Sequence, residues 1–339
     1  MGVVQVRMPG KIMLAGEYAV LRGGACIACA LEPHLEVSCA PHEGYRLTST
    51  LWDTPQVFSL PQLEALPEDC EPFAQVVQEA ERRWLLGGAD IEVRSGLEVK
   101  AGLGSSSALR GCVLAALAHL RIEGTPRPSV PISSQENLIQ AVTRLQRVTQ
   151  GAASGYDIAT QVHGGLLWMI PETGDIRALA ADPVRFETFF DVWTGGKGAP
   201  TGPTMYDTLA WLDQEDLWPD LLTHSQAIVD GLVDFFAGKM SVADLLKEMG
   251  RYRQFFADSP HFPTSVAAEL EALPGLDASW SYKTTGAGGE DSLLVLGHPE
   301  ARKSAGACLQ RLGWYRLPGK WGVAGIEIKK GDLWHPMFT

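Results

Sequence analysis

Residues 89–107 read Ala89-Asp-Ile-Glu-Val-Arg-Ser-Gly-Leu-Glu-Val-Lys100-Ala-Gly102-Leu103-Gly104-Ser105-Ser106-Ser107. Apolar and charged residues alternate through 89–99, which predicts a strand, and the small-residue run Ala108 to Leu120 predicts a helix directly after the serines. The order is strand, glycine-rich loop, helix. Glycines let a backbone close on a ligand. Free amides at the following helix N-terminus point at that ligand, and the helix dipole favours an anion there. Hydroxyls at Ser105, Ser106 and Ser107 can donate to phosphate or ligate magnesium through oxygen. A plainer reading is a glycine turn with a serine N-cap, so the rest of the chain has to choose between them.

On the N-terminal side, residues 2–8 and 11–16 predict short strands flanking Pro9-Gly10, and 25–39 a buried strand or hairpin. A helix is expected at 71–86. Ser133-Ser134-Gln135-Glu136 forms a capping box that should open a helix running to about Gln150, and an apolar strand follows from Gly165 to Ile170. The pattern resets near residue 185. Beyond it come a strand at 189–193, a Gly/Pro-rich loop at 195–203 and amphipathic helices near 204–213, 218–237, 241–257 and 263–273. A strand at 280–285, a glycine turn at 286–289, a strand at 292–297, a helix at 299–312 and a last strand at 322–329 complete the chain. The mixed order predicts an α+β protein with antiparallel sheets. With 339 residues and 45% hydrophobic content, two closely packed lobes are expected, 1–180 and 181–339.

A net charge of -12 argues against non-specific nucleic-acid binding, which needs clustered basic charge to displace phosphate counterions. An anionic ligand must meet locally placed cations. The six cysteines lack the spacing of a disulfide scaffold. Cys26 and Cys29 form a CxxC inside Gly-Ala-Cys-Ile-Ala-Cys-Ala-Leu, with no second pair or histidine pattern, so core packing is expected there rather than zinc. The first glycine-rich segment begins within ten residues of Met1, so no signal peptide is expected, and no apolar run reaches about 18 residues. A cytoplasmic protein without membrane or nucleic-acid partners is expected, as a monomer or homodimer.

The usual nucleotide loops are missing: there is no Gly-x4-Gly-Lys-Ser/Thr, His-Arg-Asp or Asp-Phe-Gly. Two further segments supply context instead. Pro9-Gly10-Lys11-Ile-Met-Leu-Ala-Gly16-Glu17-Tyr18 places a lysine at a strand entry, and Lys283-Thr-Thr-Gly286-Ala287-Gly288-Gly289-Glu290-Asp291 is a second glycine-dense turn. Together with residues 100–108, in this order, they resemble the three signature motifs of the GHMP kinase superfamily, over almost the whole chain. The resemblance implies a two-lobed fold, with an N-terminal lobe like the second domain of ribosomal protein S5, a ferredoxin-like C-terminal lobe and an active site between them. It also implies ATP and Mg2+, with Gly102, Leu103, Gly104, Ser105, Ser106 and Ser107 around the ATP phosphates and Ser106 as a metal ligand. Glu17 and Glu290-Asp291 are further metal candidates.

Ala153-Ser154-Gly155-Tyr156-Asp157, ending at Gly164-Gly165, resembles the segment that carries the acceptor-side aspartate in mevalonate and phosphomevalonate kinases. Asp157 and Lys11 are therefore the expected catalytic pair; the alternative for Asp157 is an N-cap of a short helix. Glu17-Tyr18, where many mevalonate kinases carry Glu-His, and Val192-Trp193-Thr194-Gly195 followed by Ala-Pro-Thr201 resemble phosphomevalonate kinases. That implies an acceptor site including Lys11, Glu17, Tyr18, Lys100, Ser154, Trp193, Thr194, Gly195, Thr201, Gly286, Ala287 and Gly288. Arg144, Arg147, Lys197 and Lys283 are nearby cations that can make a local anion site or simply face solvent. Glu290, where phosphomevalonate kinases usually carry glycine, should repel phosphate unless turned away. Phosphomevalonate is the expected acceptor. Mevalonate or a sugar is the alternative within the family, and a non-catalytic ligand-sensing protein the alternative outside it.

Overall fold

The N-terminal apolar segments pair as antiparallel strands, β1 (Val4–Ala15) against β2 (Cys26–Pro41). The computed structural model describes residues 2–50, 56–58, 71–84, 86–98, 101–120, 132–180, 183–195 and 201–338. Where the sequence predicts a break at Pro9-Gly10, β1 continues through a register shift. A bulge is where a strand absorbs a proline that has no amide to give the ladder. The same shift turns Lys11 toward the glycine loop.

β5 (Gly88–Ser95) flanks β2, and β3 (Gly44–Ser49) lies between β5 and β4 (Gln56–Phe58). β3 and β5 run parallel, a departure from the expected antiparallel sheet. Their connection carries α1 (Glu71–Trp84), which supplies the length a parallel crossover needs. β6 (Leu166–Ile170) pairs with β2 and with β7 (Asp175–Ala178). On this sheet lies α2 (Ser105–His119), with Ala108 and residues 110–117 all buried. A helix apolar on all sides belongs inside a core. α3 (Gln135–Gln150) and α4 (Tyr156–His163) pack beside it, and Ser134 caps α3 by accepting from the Asn137 amide at 3.3 Å.

The second sheet has the order β11 (Tyr315–Arg316), β8 (Phe190–Thr194), β10 (Ser292–Gly297), β9 (Trp280–Thr284). Between α5 (Pro183–Phe189) with β8 and the return at β9 come α6 (Thr201–Gln214), α7 (Trp218–Phe236), α8 (Val242–Phe255) and α9 (Thr264–Glu271). α10 (Pro299–Arg311) follows β10. The single strand expected at 322–329 is instead a hairpin, β12 (Glu327–Lys330) and β13 (Leu333–Pro336), and β12 pairs with β1 of the first sheet. Arg7 Nε and Glu327 Oε2, 2.7 Å apart, fix that return. The protein is a two-lobed α+β fold, and the glycine segments meet where the lobes face each other.

Candidate active site

Lys11 joins β1 to the glycine loop. Its amide donates to Leu103 O at 3.0 Å, and its Nζ donates to Gly102 O and Tyr156 Oη, both at 2.8 Å. Gly102 and Gly104 have φ of 67° and 74°, a region costly for residues with a Cβ. A Cβ on Gly104 would also stand 3.0 Å from Lys11 Cγ and Cε and from Gln161 Nε2. The loop therefore closes on the lysine because glycine is there. The first α2 bond to close runs from the Ala108 amide to Gly104 O at 2.9 Å, so the amides of Ser105 to Ser107 have no intrahelical acceptor. They open into the cleft as an anion cradle.

Ser106 Oγ accepts from the Arg110 guanidinium one helical turn on, and Ser107 Oγ is buried with no protein partner among the described residues. Burial lowers the Lys11 pKa, while Asp157, Asp291 and Glu17 oppose the shift. Across the cleft, α4 starts at Tyr156, and Gly155, with a φ of 83°, is its N-cap. Asp157 is therefore not the cap. It stands in the first turn, and its Oδ2 accepts from Gln146 Nε2 at 2.6 Å.

The third glycine segment closes the site from the second lobe. Glu17 is buried and ion-paired to buried Lys283, and the Tyr252 hydroxyl donates to Glu17 Oε2 at 3.1 Å. Tyr18 has a φ of 62°, strained for a bulky residue. Its hydroxyl donates to Ala287 O at 2.6 Å, and burial pushes its pKa up to about 12. Thr285 Oγ1 donates to Met13 O and Ser292 Oγ to Ala101 O, both at 2.7 Å.

These contacts enclose a cleft of ≈ 330 Å³. Lys11, Glu17, Tyr18, the loop 102–107, Ser154, Asp157, Gly286 and Ala287 all line it. Gly288 lines a small neighbouring cavity with Lys283. Trp193 does not reach the cleft: it packs in the second lobe's core, over Gly306 of α10. Strand alternation decides this, because its neighbour Thr194 faces the other way and donates to Asp291 O at 2.6 Å. A Cβ on Gly195 would meet the Trp314 ring at 2.9 Å, which places Gly195 behind the site. Thr201 begins α6. Lys100 and Lys197 lie outside the described residues.

Arg144 is exposed, and Arg147 donates to Ala153 O at 3.0 Å, bracing the segment before Asp157. Glu290 does not line the cleft, whereas Asp291 does. Cys26 and Cys29 are buried thiols, and desolvation raises both pKa values, that of Cys29 to about 12. Tyr156 and Gln146 line the cleft although the sequence reading assigned neither a role, and Asp291, expected only as a metal candidate, lines it with them. Tyr156 had a signal in its place next to Asp157, and Asp291 in ending the third motif. Gln146 had none.

Magnesium takes oxygen ligands, typically one or two carboxylates beside phosphate oxygens and waters. Asp157 and Asp291 face the cradle, and the hydroxyl oxygen of Ser106 keeps a second lone pair beyond the one given to Arg110. This donor set fits the ion. Glu17 is already engaged by Lys283. Among the described residues no helix is long and apolar enough to cross a membrane.

Phosphates laid along the cradle would end beside Lys11 and Asp157, and that arrangement belongs to the phosphotransferases. The family of GHMP kinases N terminal domains matches residues 72–165. The mevalonate kinase of Archaeoglobus fulgidus is 25% identical over 303 residues, covering 88% of this chain and 93% of that one. The mevalonate kinase of Thermococcus sibiricus is 23% identical over 340 residues, covering 95% and 97%. Among solved structures, the Lin0012 protein from Listeria innocua superposes with a TM-score of 0.77 at 21% identity, over 97% of this chain and 100% of that one. Streptococcus pneumoniae phosphomevalonate kinase, in complex with phosphomevalonate and AMPPNP, gives 0.71 at 18% identity, over 95% and 100%. The family match over residues 72–165 and the likeness to mevalonate kinases along nearly the whole chain support an ATP-dependent phosphotransferase of the GHMP kinase superfamily.

Proposed function

We propose that this kinase transfers the γ-phosphoryl group of ATP to phosphomevalonate, giving diphosphomevalonate and ADP. The reading divides the chain into an ATP-binding part, 1–180, and a C-terminal part, 181–339, whose last hairpin crosses back. The ATP phosphates lie against residues 102–107. An oxygen of the acceptor phosphate bonds to the γ-phosphorus as the bond to the bridging oxygen breaks, and ADP leaves. A phosphate with a second pKa of about 6 is largely ionised at neutral pH, so little proton removal is needed. Lys11 neutralises charge at the transferred group. Asp157 takes the proton of the monoprotonated acceptor and helps keep Lys11 charged, since it opposes the effect of burial. Magnesium, when held by the phosphates, Ser106 and a cleft carboxylate, supplies Lewis-acid neutralisation of the phosphate oxygens.

The observation that supports phosphomevalonate over mevalonate is Tyr18, buried in the cleft at the Glu-His position of many mevalonate kinases and tied to Ala287 of the third motif. A second reading, mevalonate, has its own support. Lys11 is the one cation lining the cleft among the described residues, beside Asp157 and Asp291 and with Glu17 already paired to Lys283. That balance favours an acceptor with a neutral hydroxyl and a single carboxylate over one that carries a phosphate as well. The curated relatives named above are mevalonate kinases. Coupled ADP release with phosphomevalonate, mevalonate, galactose and homoserine decides the matter. Phosphomevalonate is expected to give the highest kcat/KM; turnover no better than the other three rejects the first reading, and a preference for mevalonate establishes the second.

A further inference from the structure

The carboxylate of Asp157 hangs on a side chain that the motifs do not contain. Gln146 lies on α3, 3% exposed and lining the cleft. Its Nε2 donates to Asp157 Oδ2 at 2.6 Å. An ionised carboxylate only accepts, so the amide edge facing it must be the NH2 group. Gln146 Oε1 is then left buried without a partner among the described residues. An unmet buried carbonyl costs stability, so packing alone is a poor reason for an amide at this place.

The surroundings hold that amide rigidly. α3 is capped by Ser134, Thr149 Oγ1 donates back to Gln146 O at 3.0 Å, and the Gly151 amide closes the helix on Arg147 O at 3.0 Å. α4 is fixed in turn by Gly155, where a Cβ would stand 2.4 Å from Thr143 Oγ1 of α3. The two helices are thus locked together, and the Gln146–Asp157 bond bridges them at the cleft. A cation at position 146 would pair with Asp157 and compete with the acceptor. A carboxylate would repel it. A neutral donor fixes one oxygen and leaves the charge of the other undiminished.

We infer that Gln146 is a positioning residue for phosphoryl transfer: it ties Asp157 Oδ2 and thereby aims Oδ1 at the acceptor and Lys11. The inference rests on the reading of Asp157 as the acceptor-side carboxylate. Its test is a double-mutant cycle of Gln146→Met, Asp157→Asn and the pair, with kcat, KM for ATP and acceptor, and Tm measured for each. Gln146→Met should lower kcat about 10- to 100-fold, the scale of a group misplaced by an ångström, with KM for ATP within about twofold because the cradle is untouched. The double variant should be no slower than Asp157→Asn alone, the non-additivity of residues acting as one unit. If Asp157→Asn is crippled while Gln146→Met turns over normally, the inference falls and the role of Asp157 stands. If Asp157→Asn itself is fully active, both fall. Additive losses also overturn the inference, since Gln146 would then act independently. Should Gln146→Met fail to fold, Gln146→Asn keeps the amide on a shorter arm, and the same loss in kcat without loss in ATP binding is expected.

Discussion

Lys11 carries the densest chemistry of any single residue in the cleft, and its environment gives it a pH signature. Burial lowers its pKa below the ordinary 10.5, while Asp157, Asp291 and Glu17 hold it up. Between the lowered folded value and 10.5 the unfolded chain binds more protons than the folded one, so this residue makes stability rise with pH across that window. Lys11→Met should remove that alkaline slope and lower kcat by about 10²- to 10³-fold, the scale of losing one preorganised charge-stabilising group. Thermal unfolding from pH 8 to 10.5, beside ADP-release rates, checks both. Asp157→Asn removes a carboxylate that keeps Lys11 protonated. The alkaline limb of its residual kcat profile should therefore move to lower pH, and an unmoved limb would mean that the two groups do not sense each other. Lys11 and Asp157 were legible because each sits in a compact local pattern. Gln146 was not, because its role exists only where two helices meet.

At the scale of elements, the β1–loop–α2 unit works because Gly104 does two things that no other residue can. It takes a φ of 74° and lets the Lys11 side chain pass at a distance that a Cβ would cut to 3.0 Å. Gly104→Ala should cost about 1–2 kcal/mol from the left-handed backbone alone. It should also push Lys11 off the cradle. Calorimetry with a non-hydrolysable ATP analogue should show affinity falling along with Tm; unchanged affinity would separate the loop from nucleotide binding. The periodic elements were legible, and the start of α3 to within one residue, since hydrophobic period and capping are local signals: the box at 133–136 puts the cap at Ser133, and it stands at Ser134. What misled was also local. Pro9-Gly10 reads as a break, yet the partner strand absorbs it as a bulge. Trp193-Thr194-Gly195 reads as one segment of an acceptor site, yet strand alternation sends Trp193 into the core and leaves Thr194 to hold Asp291.

For the whole molecule, the question is what holds the two lobes at the separation the chemistry needs. No local pattern announces it: the tail's return onto β1 and the parallel β3–β5 pair are long-range pairings. The deepest tie is the Glu17–Lys283 ion pair, both partners buried, with Tyr252 donating to the same carboxylate. Burial lowers the Lys283 pKa, and Glu17 opposes that shift, so the lysine owes its charge to its partner. Removing one partner of such a pair leaves an uncompensated buried charge and costs about 3–5 kcal/mol, whereas replacing both is often neutral. Lys283→Met should therefore lower Tm by about 2–4 °C per kcal/mol lost, and adding Glu17→Gln should restore most of it. Because the pair is shielded from solvent ions, the single variant's deficit should be nearly the same at low and high salt. A Tm loss that the double variant leaves unrepaired would show that the lobes are held by Tyr18–Ala287, Thr285–Met13 and Ser292–Ala101 instead, with the ion pair as a passenger.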